Sequence, residues 1–128
     1  MATKEEYLKK AEHNERFFNE FDTSTTPYLD WVVTGIFYSA IHYIKAVAAK
    51  HGFTNISSYG EMDNVFNRVH VFRMRRDIWV DYRQLKDDSR TARYDTSLIP
   101  TTEVISLKDK EFENIKAFAL TECVGARP

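Results

Sequence analysis

Cysteine, glycine and proline are scarce in this chain, and each shortage excludes a class of fold or site. The one cysteine, Cys123, excludes an intramolecular disulfide framework and any cysteine-based zinc site. Four glycines and three prolines are few for a loop-rich β fold, so long helices are favoured instead. Because 128 residues are enough to bury one core, we expect a single compact all-α domain over residues 1–128.

The chain also lacks an excess of either positive or negative charge. The 18 basic and 19 acidic residues leave a formal net charge of −1, so any nucleic-acid binding needs cations concentrated on one face. The charged N-terminal stretch has no apolar run of the kind that a signal peptide carries. The most apolar segment, residues 31–49, contains His42 and Lys45, which favours a buried helix over a membrane span. We therefore expect a cytoplasmic protein with no membrane partner.

Capping residues mark where several helices begin and end. Thr3 and Ser58 are each followed three residues later by glutamate, which is the spacing of a capping box. Pro27 after Thr26 predicts the first position of a second helix, and Gly52 predicts its end. Together with apolar residues at helical spacing, these signals predict helices over about residues 4–21, 27–51, 58–71, 73–92 and 106–122.

The remaining segments are predicted to be irregular. We expect a loop over residues 95–105, where Pro100 and several threonines occur, and a last helix that starts with a cap at Ser106. Residues 124–128 are expected to form a frayed tail. Helices joined mostly by short connections predict a single compact bundle of four to five helices.

Small residues share one face of the second predicted helix. At about 100° per residue, the members of this face include Gly35, Ser39, His42 and Ala46. Small side chains allow another helix to approach closely, either from the same chain or from a second subunit. The face is therefore a candidate for helix packing or for a dimer interface. A histidine amid such a face is more often a hydrogen-bonded core residue than a catalytic one.

Charge separates into distinct sides on the fourth predicted helix. The side expected to face the core holds Met74, Ile78, Tyr82, Leu85, Ser89 and Ala92. A basic stripe beside it holds Arg76, Arg83, Lys86, Arg90 and Arg93, and the opposite flank holds Asp77, Asp81 and Asp88. A row of cations of this kind is suited to following a phosphate backbone, because guanidinium groups make paired contacts to phosphate oxygens.

The alternative interpretation is a solvated face whose charges are paired internally. Asp87 lies within the basic stripe, four residues after Arg83 and three before Arg90, so either arginine is within reach. Arg73 and Asp77 are likewise four residues apart. The sequence alone leaves both interpretations open.

Two stretches of the chain resemble the HEPN family (higher eukaryote and prokaryote nucleotide-binding). In the second predicted helix, YLDW at 28–31 is followed by FYSAIHYIKA at 37–46, similar to the family's aromatic-small-small-aromatic/His pattern before Lys-Ala. In the fourth, YRQL at 82–85 is followed by SRTARY at 89–94. This is similar to the Y-x-x-L…S-R-x-A-R-Y ending of many small HEPN-like proteins.

The resemblance implies an all-α bundle of four or five helices that often forms a homodimer. Many members are ribonucleases of toxin–antitoxin, CRISPR and other defence systems, and others are non-catalytic binding modules. Catalytic members carry an arginine and, after four to six intervening residues, a histidine, and none of the four histidines here follows an arginine at that spacing. The resemblance therefore implies a non-catalytic member, with His42 and Tyr94 as the remaining candidates for catalysis.

We expect a HEPN-like domain that binds RNA or a nucleotide through a basic helix face, in a defence or toxin–antitoxin context. The expected phosphate-binding residues are Arg83, Lys86, Arg90, Arg93 and Tyr94. No metal and no cofactor is expected, because the chain has neither a Glu-x-x-His pair nor a Gly-rich phosphate loop. One alternative is a protein-interaction or scaffold module that uses the small-residue face. Another is a divergent, metal-independent ribonuclease that uses His42 or Tyr94 with Arg90.

Overall fold

The computed structural model describes residues 2–96 and 98–125, and every regular element within them is helical. In chain order the elements are α1 (Lys4–Asn19), α2 (Leu29–Lys50), α3 (Tyr59–Arg68), α4 (His70–Arg73), α5 (Arg76–Tyr94), α6 (Thr101–Ser106), a π-helical segment (Leu107–Phe112) and α7 (Glu113–Val124). The last three follow one another without a break and form one continuous helix. The prediction of an all-α bundle is confirmed.

α2 is the central element of the bundle. α1, α5 and α7 all pack against it, and its apolar side chains occur nearly all round the helix. By length and composition α2 is apolar enough to cross a membrane, but 78% of its most apolar window is buried inside the molecule. α2 therefore has the character of the core helix of a soluble bundle.

The small-residue face brings α1 and α2 close together. A Cβ atom added at Gly35 would lie 3.1 Å from Phe17 Cδ2 and 3.1 Å from Phe18 Cβ, both on α1. One turn further along, the fully buried Ser39 hydroxyl donates a 2.8 Å hydrogen bond to the Ala11 carbonyl oxygen. The predicted close approach of another helix is therefore made by α1 of the same chain.

The other residues of this face are also wholly or partly buried within the chain. Ala46 is fully buried, and His42 lies half-buried at the edge of the face. Because α1 covers Gly35 and Ser39, a second subunit cannot reach this part of α2 unless α1 moves away.

A polar network fastens α1 to α2 and α7. Tyr43 donates a 2.9 Å hydrogen bond to Glu15 Oε1, and Lys116 Nζ lies 2.6 Å from Glu15 Oε2. The side chains of Glu15 and Lys116 are only 16% and 27% exposed. Burial and the adjacent Glu15 carboxylate raise the pKa of Tyr43, so its hydroxyl stays protonated and continues to donate.

Two predicted helix caps are present. Thr3 Oγ1 accepts the Glu6 amide at 3.1 Å, and Glu6 Oε1 accepts the Thr3 amide at 2.9 Å, which completes the predicted capping box. At the start of α3, Ser58 Oγ accepts the Glu61 amide at 3.1 Å. Local side-chain hydrogen bonds therefore set these two helix starts, as the spacing of the residues predicted.

Two other predicted boundaries are wrong. α2 begins at Leu29 and not at Pro27, because Thr26 Oγ1 accepts the Tyr28 amide at 3.1 Å and holds the chain in a turn. The third predicted helix, 58–71, is interrupted at Val69, whose extended backbone separates α3 from α4.

The predicted loop over 95–105 is wrong in its second half. α6 begins at Thr101, directly after Pro100, whose carbonyl oxygen accepts the Glu103 amide at 3.1 Å. Proline suits this position, because the start of a helix does not use its missing N–H group. Ser106 is consequently an interior residue of the continuous helix and not a cap.

The continuous C-terminal helix closes the bundle and returns the chain to α1. In the π-helical segment, Phe112 packs edge-on against Phe18 with 5.2 Å between ring centres. α7 ends at Val124, so the predicted frayed tail begins too early, and residues 126–128 lie outside the described residues. Lys4 Nζ donates a 3.0 Å hydrogen bond to the Cys123 carbonyl oxygen, which places the start of α1 beside the end of α7.

Gly35→Leu should destabilise the protein, because a larger side chain forces α1 away from α2. We expect the free energy of unfolding to fall by about 1–3 kcal/mol, the usual cost of overpacking, as measured by urea denaturation followed by circular dichroism. Gly60→Ala is the control, because a Cβ there meets only Ser58 Oγ at 3.8 Å. Its stability should hold or rise by up to about 1 kcal/mol. Parent-like stability of Gly35→Leu would contradict the close helix contact.

Candidate nucleic-acid interface

The packing of α5 directs its basic side toward solvent. The buried residues of this helix are Ile78, Tyr82, Leu85, Ser89 and Ala92, as predicted. Met74 is 69% exposed and precedes the helix, so its predicted core position is wrong. With the apolar side fixed, Arg83 and Arg90 are exposed, and Lys86 and Arg93 are half-buried at the edge of the core.

These four cations have no acidic partner among the described residues. Every ion pair within residues 2–96 and 98–125 involves other basic residues. Asp87 is exposed and pairs with neither Arg83 nor Arg90, so the internally paired arrangement that the spacing allowed is not formed. The positive charge of the stripe therefore remains available to a ligand.

The acids of α5 are held on another side of the helix. Arg75 donates two 2.9 Å hydrogen bonds to Asp77, which replace the expected pair with Arg73. These bonds hold the pKa of Asp77 well below its usual value. Asn114 of α7 donates to Asp77 at 2.9 Å and to Asp81 at 2.7 Å. The negative charge of Asp77 and Asp81 is thus kept apart from the basic stripe, whereas the exposed Asp87 lies within it.

Aromatic rings lie against three of the four cations. The guanidinium carbon of Arg83 is 5.2 Å from the ring centre of Trp79. Lys86 Nζ is 4.6 Å from the ring centre of Tyr59. The guanidinium carbon of Arg93 is 6.0 Å from the ring centre of Tyr38 and 5.5 Å from that of Tyr94. Contacts of this kind orient a cation without neutralising it.

The surface composed of Arg83, Lys86, Arg90, Arg93, Tyr38, Tyr59 and Tyr94 is called the basic–aromatic face below. Its rings remain accessible, with exposed fractions of 39% for Tyr38, 44% for Tyr59 and 79% for Tyr94. Trp31, also half exposed, shares a small cleft with Arg93 and Tyr94. Exposed rings beside unpaired cations provide stacking surfaces for bases and charge for phosphates in one place.

A cleft of about 470 Å³ opens between α2 and the start of α3, next to the basic–aromatic face. It is lined by Tyr38, Ile41, His42, Lys45, Ile56, Ser57, Ser58, Tyr59 and Met62. This space is called the α2–α3 cleft below. Tyr38 and Tyr59 belong to both surfaces, so the cleft and the basic–aromatic face are continuous.

His42 is held in one tautomer at the wall of this cleft. Its Nδ1 atom is 2.7 Å from the Tyr38 carbonyl oxygen, so Nδ1 carries the proton and donates it. The Nε2 atom is then an acceptor. Burial lowers the pKa of His42, and the nearby charges of Lys45 and Lys10 lower it further. Burial also lowers the pKa of Lys45. The neutral imidazole is therefore the favoured form at neutral pH.

The two catalytic candidates lie in different places. His42 lines the α2–α3 cleft, whereas Tyr94 and Arg90 line a shallow pocket at the end of α5. The structure therefore does not bring His42 together with Arg90. No group of three or more His, Cys, Asp or Glu side chains within the described part of the chain is arranged to hold a metal ion.

Several residues of the site are absent from the sequence-based predictions. Tyr59 follows a helix cap, and Lys45 lies in an apolar helix, so neither carries a local signal of function. Tyr59 meets Lys86 only because α3 packs beside α5 in the folded chain. An aromatic residue directly after a cap could have been noted as exposed, but its cationic partner is set by tertiary structure.

Comparisons with known proteins leave the family open. No protein-family model matches the chain, no curated protein matches it in sequence, and no solved structure matches it. The functional argument therefore depends on the geometry of the described residues.

Protein stability should fall as the pH drops below about 6.5, the usual pKa of an unfolded-state histidine, in part because of His42. The folded-state pKa of His42 lies below this value. The unfolded state therefore binds more protons than the folded state once the pH falls below about 6.5. The contribution is fully present above the unfolded pKa and is lost as the pH falls through the folded pKa.

His42→Gln should remove this part of the pH dependence, measured as urea midpoints between about pH 7.5 and 5.5. His51→Gln changes an exposed histidine at the end of α2 and should retain it. An identical pH dependence in His42→Gln and the parent would contradict the assignment.

Proposed function

We propose that this protein is a non-catalytic, HEPN-like domain that binds single-stranded RNA through the basic–aromatic face. The observation that carries the proposal is a row of four cations with no acidic partner among the described residues, interleaved with exposed tyrosines. Arg93 donates a hydrogen bond to the Ser89 hydroxyl but, like the other three cations, has no acidic partner among the described residues. Cations without an acidic partner can exchange their counterions for phosphates, which favours binding.

The dimensions of the face suit several nucleotides. From Arg83 to Arg93 the axis of α5 rises about 15 Å at 1.5 Å per residue. Single-stranded nucleic acid places both phosphates and unstacked bases within reach of such a surface. Tyr38, Tyr59 and Tyr94 offer ring faces at different points along it. RNA stays the preferred ligand because the resemblance to HEPN proteins supports it.

The same resemblance supports further parts of the proposal. It favours a homodimer and a defence or toxin–antitoxin context, and to these we add the proposal of a cytoplasmic location. The alternative of a scaffold module loses its suggested surface, because α1 covers Gly35 and Ser39 of the small-residue face. Any dimer interface is therefore expected elsewhere on the molecule.

A divergent, metal-independent ribonuclease is the second candidate, and His42 is the observation that favours it. A neutral imidazole with its Nδ1 proton donated to a backbone carbonyl has a free lone pair on Nε2, as a general base requires. The separation of His42 from Arg90 counts against the expected pairing of these two residues.

Arg90→Ala/Arg93→Ala should weaken binding to a fluorescently labelled single-stranded RNA by about tenfold or more at moderate salt. Loss of two phosphate contacts should also reduce the slope of log affinity against log salt by about 1.4. Fluorescence anisotropy over a salt series measures both quantities, and a DNA strand of the same sequence tests the preference for RNA.

The matched control for this experiment is Lys9→Ala/Arg16→Ala. Both residues are exposed on α1, and their loss changes the net charge by the same amount. Circular dichroism establishes that each variant is folded. Equal RNA affinity of the α5 variant and the parent would refute the proposed interface, and equal weakening by both variants would indicate non-specific attraction.

The purified protein should leave labelled RNA intact on a denaturing gel, because the arginine–histidine spacing of catalytic HEPN members is absent. Cleavage that persists with a chelator and disappears in His42→Gln would support the divergent ribonuclease instead. Cleavage that is undiminished in both His42→Gln and Tyr94→Phe would remove these residues from any catalytic role.

A further inference from the structure

We propose that the α2–α3 cleft takes the base of one unpaired nucleotide from the RNA strand held on the basic–aromatic face. The inference rests on the proposed RNA binding and gives it a specific subsite. It concerns residues of α2, of the segment before α3 and of the start of α3 that the sequence did not single out for binding, above all Lys45, Ser57 and Tyr59.

The cleft has the chemistry that a nucleobase needs. Its volume of about 470 Å³ lies within the usual range for small-molecule sites and leaves room for a base with part of its ribose. Ile41, Ile56 and Met62 supply apolar walls, and a few polar groups lie among them. A nucleobase has the matching form, with apolar ring faces and a polar edge.

The entrance of the cleft is adjacent to the cations of α5. Tyr38 and Tyr59 line the cleft, and Arg93 and Lys86 lie against these same two rings. The buried Phe37 ring supports both tyrosines, with centre-to-centre distances of 5.7 and 6.3 Å. A strand that crosses from Arg93 to Lys86 therefore passes the opening of the cleft and can place one base inside it.

Two polar groups on α2 are placed to contact the edge of that base. His42 Nε2 is an acceptor, because Nδ1 donates to the Tyr38 carbonyl oxygen. Lys45 lies three residues further along the helix, on the same side, and supplies a donor. An acceptor next to a donor matches the edge of a base, where both kinds of group alternate.

Ser57 adds a third polar group at the rim. Its hydroxyl donates a 3.0 Å hydrogen bond to Glu61 Oε1, so its oxygen remains able to accept from a base amino group. Half-buried Lys45 makes no ion pair with a described acid, and burial disfavours its charge. A carbonyl oxygen of a base offers this ammonium group an acceptor in place of water.

Another cleft of similar volume lacks these properties. It lies between α4 and α7, measures about 450 Å³ and includes Arg75 and Glu122. Arg75 is already paired with Asp77, and Glu122 would repel a phosphate. The shallow pocket at the end of α5 has about 460 Å³ and includes Arg90, but its lining has no aliphatic apolar wall. Of these three spaces, the α2–α3 cleft combines apolar walls with adjacent cations that have no acidic partner among the described residues, which favours it as the site for a nucleotide.

The experiment compares free nucleotides with an RNA strand on the full chain. Two-dimensional NMR follows titration with the four nucleoside 5′-monophosphates and, as a ligand without a base, ribose 5-phosphate. We expect at least one monophosphate to shift the resonances of His42 and Tyr59, and ribose 5-phosphate to leave them in place. Shifts of equal size from ribose 5-phosphate would overturn a base pocket.

Variants then connect the cleft to RNA binding. Lys45→Met keeps the apolar stem but removes the donor, and Ser57→Trp fills the rim from an exposed position. Each should reduce affinity for the monophosphate and for single-stranded RNA by about three- to tenfold. Lys9→Met on the exposed side of α1 should leave both affinities unchanged.

The outcomes separate this inference from the proposed function. RNA binding by the parent that is unaffected by Lys45→Met and Ser57→Trp would overturn the base pocket and leave the basic–aromatic face standing. Absence of RNA binding by the parent would overturn the proposed function itself. Monophosphate binding without RNA binding would show that the cleft serves free nucleotides, which also contradicts the inference.

Discussion

The close contact between α1 and α2 at Gly35 and Ser39 determines how the other helices are arranged. At Gly35 the side chains of Phe17 and Phe18 on α1 occupy the space next to the missing Cβ atom, and at Ser39 the hydroxyl bonds to the backbone of α1. With one side of α2 occupied in this way, α5 and α7 pack on its remaining sides. The apolar residues of α5 are then buried against the core. Its cations therefore lie at the surface or at the edge of the core.

Separation of charge follows from that packing. Arg75 and Asn114 hold the acids Asp77 and Asp81 on one side of α5, and most of its cations lie on another side, with Asp87 exposed among them. A chain with a formal net charge of −1 therefore has a local positive surface. Overall composition excluded a generally basic protein, but it could not locate this surface, because the field near a ligand depends on which charges are paired.

Periodicity predicted the parts of the fold that depend on local chemistry. The caps at Thr3 and Ser58 and the buried side of α5 follow from residues a few positions apart. Periodicity did not predict that α2 begins at Leu29 or that α6 begins at Thr101. A turn hydrogen bond at Thr26 moves the start of α2 to a later residue, and Pro100 allows α6 to begin at an earlier one. Competing local interactions of similar strength decide such ends.

The sequence predicted only part of the candidate site. The arginines of the basic stripe were found because they repeat along a single helix. The α2–α3 cleft was not found, since Lys45 and Tyr59 come from different elements and acquire their neighbours only on folding. His42 was noted for its position on the small-residue face, but its tautomer is set by a backbone carbonyl that no sequence pattern indicates.

The hydrogen bond from Lys4 to the Cys123 carbonyl has a consequence for the topology of the chain. The start of α1 and the end of α7 lie within the reach of one lysine side chain. A short peptide could join these ends, and the chain could be opened instead between α2 and α3. The packing around α2 does not depend on the order in which its neighbours occur along the chain. The bundle is therefore a candidate for circular permutation, with its new ends at the rim of the α2–α3 cleft.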